Sequence, residues 1–283
     1  MADDMYMTTN FFHLGPPNNT YSTDGPALVS SSTSAEGAAG VGTSYVQLKA
    51  DSRNITRSNG WNDPLYGNWI YYFMRRAPGF FDEVCYTGTY TNRTVAHNLA
   101  AAPQLMIIKS RSAADRWSVY SATVGPTGIL VLNTTAAADT SPGREVYWNN
   151  TAPTASVFSL GPDGDVNNSG ANYVAYLFAS APGVSRVGSY TGNGSSQTIN
   201  CGFTGGARFV MVKRTDSTGN WMVVDTARGL VAAGDPTLYL NSTAAEVTGV
   251  DWLDPDSSGF IVNQEGTMNA NVSSATYIYL AIS

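Results

Sequence analysis

Apolar and polar positions alternate in short bursts along most of this chain. Runs of strand length fall at 105–109, 117–120, 129–132, 146–148, 157–160 and 173–178. Each is rich in Val, Ile, Leu, Tyr, Phe or Trp. The clusters SAAD, VGPTG, NTTAAADTSPG, NTAPT, GPDGD and NNSG separate them, which is the punctuation of antiparallel strands joined by turns. A second set follows at 209–213, 221–224, 238–240, 260–262 and 277–281. No segment carries a helical period, and the nearest candidate, 226–233, is interrupted by Gly229 and is predicted to be a loop. The pattern predicts an all-β chain of tandem antiparallel β-sandwich, jelly-roll-like modules behind an extended N-terminal arm.

Two of the runs belong to a repeat. Residues 68–88 read NWIYYFMRRAPGFFDEVCYTG and residues 172–192 read NYVAYLFASAPGVSRVGSYTG, in ungapped register at an offset of 104. The offset also matches LMIIK at 105 with FVMVK at 209, Trp117 with Trp221, Trp148 with Trp252 and Tyr173 with Tyr277. It changes to 108 between Asn133 and Asn241, so the second copy carries an insertion around 227–236, and to 102 between Phe158 and Phe260. Length changes of this kind belong in surface loops.

The predicted organisation is an arm at 1–44, a partial module at 45–79, a first sandwich module at 80–183 and a second at 184–283. The arm is rich in Gly, Pro, Ser and Ala, and alone it should be disordered unless its own chain or a partner holds it. In the partial module, residues 45–48, Asp51, Asn54 and a predicted strand at 69–74 follow the order of 158–160, Asp163, Asn167 and 173–178. Its earlier strands are missing. Completion by the arm, the first module or a neighbouring subunit is expected, and with it a homo-oligomer, in the first instance a trimer.

Composition narrows the function classes. Of the 283 residues only 13% are charged, the formal net charge is -6, and no cluster of basic residues occurs, which argues against nucleic acid or an anionic membrane as the partner. Acidic residues stand where a signal peptide needs basic ones, and no stretch approaches a membrane span, so synthesis in a cytoplasm is expected. The two cysteines, Cys85 and Cys201, occupy unrelated repeat positions and read as small buried hydrophobes rather than a disulfide.

The blocks RAPGFF, DEVCYTGTYT, PQLMIIKSRSA, LVLNTTAAA, WNNTAPT, VFSLGPDGDVNNSGANYVAYLFA and GSYTGNGS carry a resemblance over roughly residues 68–283. They resemble a β-module of undefined biochemistry that recurs in virion proteins of tailed bacteriophages, especially those of marine bacteria and cyanobacteria. The resemblance implies a virion structural protein, a tail fibre or tail appendage component that assembles through its arm with other tail proteins. It supplies no catalytic or binding residues. The alternative is a capsid decoration or head-fibre protein, and behind that a carbohydrate-active enzyme.

Candidate chemistry is sparse, and no cofactor or metal site is expected. Asp163, Asp165 and Asn167 have the spacing that opens a calcium loop, but an Asx turn explains the same residues. Asp251, Asp254 and Asp256 could supply the carboxylate pair of a glycosidase, although their repeat counterparts are Tyr147, Asn150 and Ala152. His13 and His97 lack a nucleophile partner. Four of the six tryptophans form the repeat pairs and Trp69 aligns with Tyr173 and Tyr277, so these five are expected in the core, leaving Trp61, with Tyr66 nearby, as a candidate exposed contact. Asn133 and Asn241 are expected to cap turns. Lys109 and Lys213 are expected to cover a sheet edge with their ammonium groups in solvent. Departures from the repeat concentrate in loops 110–115, 227–236 and 250–257, and weak multivalent contact with a host-surface glycan is expected through the C-terminal module.

Overall fold

A computed structural model describes residues 6–8, 26–38, 47–48, 55–56, 72 and 74–283. In the N-terminal part, β1 (Tyr6–Thr8), β2 (Pro26–Val29) and β3 (Gly37–Ala38) form a three-stranded antiparallel sheet, and β4 (Gln47–Leu48) pairs with β5 (Ile55–Thr56). Seven strands build the first module: β6 (Phe81–Thr87), β7 (Arg93–Ala96), β8 (Leu105–Ser110), β9 (Ser118–Ser121), β10 (Leu130–Val131), β11 (Val157–Leu160) and β12 (Asn172–Phe178). They form a five-stranded antiparallel sheet in the order β10-β9-β8-β12-β6, and β11 pairs with β7. The second module uses β13 (Ser185–Thr191), β14 (Gln197–Asn200), β15 (Phe209–Arg214), β16 (Trp221–Asp225), β17 (Leu238–Tyr239), β18 (Leu253–Asp256), β19 (Gly259–Val262) and β20 (Thr276–Ile282). Its five-stranded sheet runs β13-β20-β15-β16-β17 and its smaller sheet β14-β19-β18.

The protein is therefore an all-β, antiparallel, sandwich-type fold. The continuous apolar runs in the sequence are its central strands. All six residues of β8 and six of the seven in β12 are buried, because side chains of both parities are covered. The alternating strands β6, β7, β13 and β14 lie at sheet edges and carry polar residues outward. Hydrophobic runs alone do not reveal them.

Three apolar clusters follow from this. Met106, Ile108, Tyr120, Trp148, Phe158, Tyr173 and Leu177 form the first module's own core, and Val210, Val212, Met222, Val224, Trp252, Phe260 and Tyr277 form the second's. The opposite faces of the two large sheets meet in a third cluster, which holds Ile107, Trp117, Val119 and Val174 with Met211, Trp221, Val223 and Ile278. Leu28 of the N-terminal part is 1% exposed and belongs to it. The seam lined by Leu105, Ser121, Val187, Met211, Trp221 and Ile278 has no room for a water molecule.

Polar bonds cross the same seam. The Trp221 indole donates to the Val131 carbonyl at 3.0 Å, Ala138 N–H donates to the Thr215 carbonyl at 2.8 Å, and the Thr135 carbonyl accepts from Gly219 N–H at 2.9 Å and Lys213 Nζ at 3.0 Å. The N-terminal segment is held similarly by the body of its own chain. Trp117 donates to the Ser32 carbonyl at 3.0 Å, Glu36 N–H donates to the Arg111 carbonyl at 3.0 Å, and the Glu36 carboxylate pairs with Arg111 at 2.7 Å.

Several expectations need correction. Residues 146–148 are not a strand, since Arg144–Val146 is a 3-10 turn whose Tyr147 and Trp148 side chains point into the core. Tyr72 and Met74 lie outside any strand and pack against the shared cluster as an irregular segment; the rest of 69–74 lies outside the described residues. Cys85 is exposed on edge strand β6, and only Cys201 is buried. Lys109 and Lys213 are both 0% exposed, and neither ammonium reaches solvent.

The repeated Tyr-Thr-Gly has a physical cause in both modules. Tyr86 stacks on Tyr173 at 5.2 Å between centroids and Tyr190 on Tyr277 at 4.7 Å. Their hydroxyls close onto the Val166 and Ala270 carbonyls at 2.7 and 2.6 Å. Two residues on, Gly88 and Gly192 pass so close to the Asn168 and Val272 carbonyls that a Cβ would collide with backbone. Gly88→Ala or Gly192→Ala should each lower the urea-unfolding free energy by about 1–3 kcal/mol, and an unchanged midpoint would refute the close-approach explanation.

Candidate functional site

The densest acidic group lies on and just before β18, a strand with no counterpart in the first module. Asp251 and Asp254 converge on one side chain: Asn263 Nδ2 donates to Asp251 Oδ1 at 3.3 Å and to Asp254 Oδ2 at 2.8 Å, while Ser196 Oγ donates to Asn263 Oδ1 at 2.7 Å. Asp256 does not join them. It accepts from the Ser258 hydroxyl at 2.6 Å and the Ser258 N–H at 2.8 Å, bonds that hold its carboxyl below the usual range and close the β18–β19 turn. Trp61 and Tyr66 lie outside the described residues.

Beneath this edge lies Asp235, which sequence reasoning did not single out. It is fully buried, and its Oδ2 accepts from Trp252 N–H at 3.0 Å and Leu253 N–H at 2.8 Å. Burial pushes its pKa up to about 6. The two amide bonds oppose the shift, and the nearby Asp251 and Asp254 charges add to it.

Asp235 closes the inserted loop, and Arg228 anchors the loop's start. Arg228 bonds Asp225 Oδ2 at 2.6 Å, Glu246 Oε2 at 3.0 Å, and the Pro236 and Val223 carbonyls at 3.0 Å each. Tyr72 reaches in from the irregular N-terminal segment, donating to Asp225 Oδ2 at 2.5 Å. Leu230 is buried in the second module's core. Within the insertion Ala227 and the tip at 231–233 are exposed. The available signal was charge inside an insertion, in a chain where charge is scarce.

The remaining candidates serve the fold. Asp163 Oδ1 accepts from Asp165 N–H at 2.8 Å as the cap of the short helix α1 (Gly164–Asn167), and Asp165 Oδ2 is bonded by Tyr147 and Arg116, each at 2.8 Å. Asn167 ties Thr89 N–H to the Thr91 and Gly161 carbonyls, and Asn271 does the same in the second module with Asn193 N–H and the Ser195 carbonyl. His97 accepts from Leu99 N–H at Nδ1, so Nε2 carries the proton and donates to the Thr154 carbonyl at 3.2 Å; burial lowers its pKa. His13 lies outside the described residues. Asn133 and Asn241 make side-chain to backbone bonds, but across strands, accepting from Trp117 N–H at 3.0 Å and Trp221 N–H at 2.7 Å. Trp117, Trp148, Trp221 and Trp252 are all fully buried.

Among the described residues no three His, Cys, Asp or Glu side chains are placed to hold a metal ion, and no helix is long and apolar enough to cross a membrane. This arrangement can neutralise charge and close loops.

Asp235 provides a pH signature. Its native pKa of about 6 lies above the ordinary 3.8, so between those values the folded state binds more protons than the unfolded state, and stability falls as pH rises through the window. Asp235→Asn keeps an oxygen for the two amide donors without the buried charge. It should flatten Tm between about pH 4 and 6 and raise Tm by several degrees at pH 7. A wild-type profile already flat in that window would overturn the assignment.

A family model described as Domain of unknown function (DUF7483) matches residues 76–283, and the chain belongs to that family. No curated protein and no solved structure matches it.

Proposed function

We propose that this member of the DUF7483 family is a non-enzymatic structural component of a tailed-bacteriophage particle, built into a tail fibre or tail appendage. The observation that carries this reading is the joint between the modules. A flexible linker would let two modules swing, whereas here a water-free apolar cluster and direct backbone bonds lock them together. The connecting segment is pinned as well: Gln104 Oε1 accepts from Ser180 N–H at 2.8 Å and the Ala179 carbonyl from Ser185 Oγ at 2.8 Å. Rigid tandem modules transmit force and hold spacing, which an appendage of a particle needs. The motif blocks that resemble phage virion modules support the same placement, and the engagement of the acidic groups by the chain's own donors supports a role without catalysis. Other tail proteins, further copies of the chain in a trimer and a host-surface glycan are the partners of this reading.

Gold-labelled antibody against the protein should mark the tails of negatively stained particles of the phage that encodes it. Gold on the head shell would overturn the tail placement, and unlabelled particles would overturn the virion reading. Incubation with host polysaccharide should release no new reducing ends, and release would overturn the non-enzymatic assignment.

A further inference from the structure

One hairpin occurs three times in this chain, and its first copy lies upstream of the residues that define the family. Ala27 bridges Gly37, Ile129 bridges Asp139 and Thr237 bridges Val247, each antiparallel and each with the same spacing along the chain. The strand before each bridge has the same neighbour relation, with Val29 opposite Tyr6, Val131 opposite Ser118 and Tyr239 opposite Met222. The sequence agrees: residues 26–36 read PALVSSSTSAE and residues 236–246 read PTLYLNSTAAE, with Pro, Leu, Ser, Thr, Ala and Glu in common at matching places. The predicted arm therefore contains a module hairpin.

The first two copies dock on the module that follows them through one and the same bond. Glu36 and Ala138 each stand one residue before the bridge, and they donate N–H to Arg111 and Thr215, which occupy matching positions after β8 and at the end of β15. In each case the tryptophan of the following module, Trp117 or Trp221, donates its indole N–H to a hairpin carbonyl at 3.0 Å. The carbonyl differs, Ser32 in one and Val131 in the other. In the third copy Glu246 N–H, the counterpart of the Glu36 and Ala138 donors, and the Thr243 carbonyl, the counterpart of the Thr135 carbonyl that accepts across the seam, have no partner among the described residues. Ala245 is exposed where its counterpart Ala137 is half-buried.

We infer that the hairpin at 237–247 is the open half of a repeating joint, and that it takes the tryptophan corner of a further module of this architecture. The Trp117 and Trp221 corners are filled by the first two hairpins, so the occupant is a tryptophan corner other than these two. Its chemistry is set by the two filled examples: an indole N–H together with a strand-end carbonyl aligned to accept from Glu246 N–H. The stretch Thr243-Ala244-Ala245 carries no charge, so docking there strips no ion of its water.

A receiver can be made from the full-length chain. Leu28→Asp with Glu36→Arg drives the first hairpin off the Trp117 corner, and Ala245→Arg on the same molecule prevents it from pairing with itself. Mixed at micromolar concentration, the unmodified protein should bind one receiver per chain in sedimentation velocity, and Ala245→Arg in the unmodified partner should weaken binding more than about tenfold. No complex with a receiver that keeps a cooperative thermal transition, or a complex indifferent to Ala245→Arg, overturns the joint. A second measurement needs no variant. Amide exchange in the unmodified protein should be faster at Glu246 than at Ala138 and Glu36, and equal protection at Glu246 and Ala138 overturns the claim that this half is open.

Discussion

Both faces of the two large sheets are apolar, and the rest of the structure answers to that constraint. One face of each sheet is covered by its own module. The other holds Ile107 and Val119 in the first module and Met211 and Val223 in the second, and leaving such side chains in water forfeits roughly 1.5–3 kcal/mol each. Four of them already approach the whole stability of a typical domain, about 5–15 kcal/mol. The modules are consequently not beads on a string. Each supplies part of the other's cover, and Leu28, Tyr72 and Met74 from the N-terminal part complete it.

Burying those faces also buries polar groups, and the repeated lysines show how a buried charge is satisfied. The Lys213 ammonium, shut away from solvent, donates to the Gly219 carbonyl of its own module at 2.6 Å and to Thr135 across the seam at 3.0 Å. Lys109 donates to the Ser110 and Ala113 carbonyls at 2.7 and 3.1 Å. Burial lowers both pKa values to about 8, so they weaken the fold while charged, and their burden lifts as pH rises from about 8 toward the ordinary 10.5. The tryptophans reach across the seam as donors, turning large apolar side chains into directional ones. These bonds fix how one module sits on the next, which area alone does not do.

The same economy shows in the acidic residues of the second module, which are engaged by donors of their own chain. Asp251 and Asp254 share the amide of Asn263, Asp256 closes a turn, and Asp235 holds the amides of Trp252 and Leu253. Each of these four carboxylates has at least one oxygen engaged by a local structural partner. Backbone groups at the edge of the third hairpin are also left without partners among the described residues.

The all-β class, the tandem repeat and the central strands were legible in the sequence, because a strand covered on both faces must be apolar throughout, as LMIIK, YVAYLF, FVMVK and YIYLAI are. The paired tryptophans were legible as core for the same reason. Edge strands such as FDEVCYT and SRVGSYT were not, since one side faces solvent and tolerates Asp, Glu, Arg and Ser. The burial of Lys109 and Lys213 and the anchoring of the insertion by Arg228 and Asp235 were decided by tertiary structure alone. Each depends on which carbonyl, carboxylate or amide lies across a seam between distant segments, and neither periodicity nor composition carries that information.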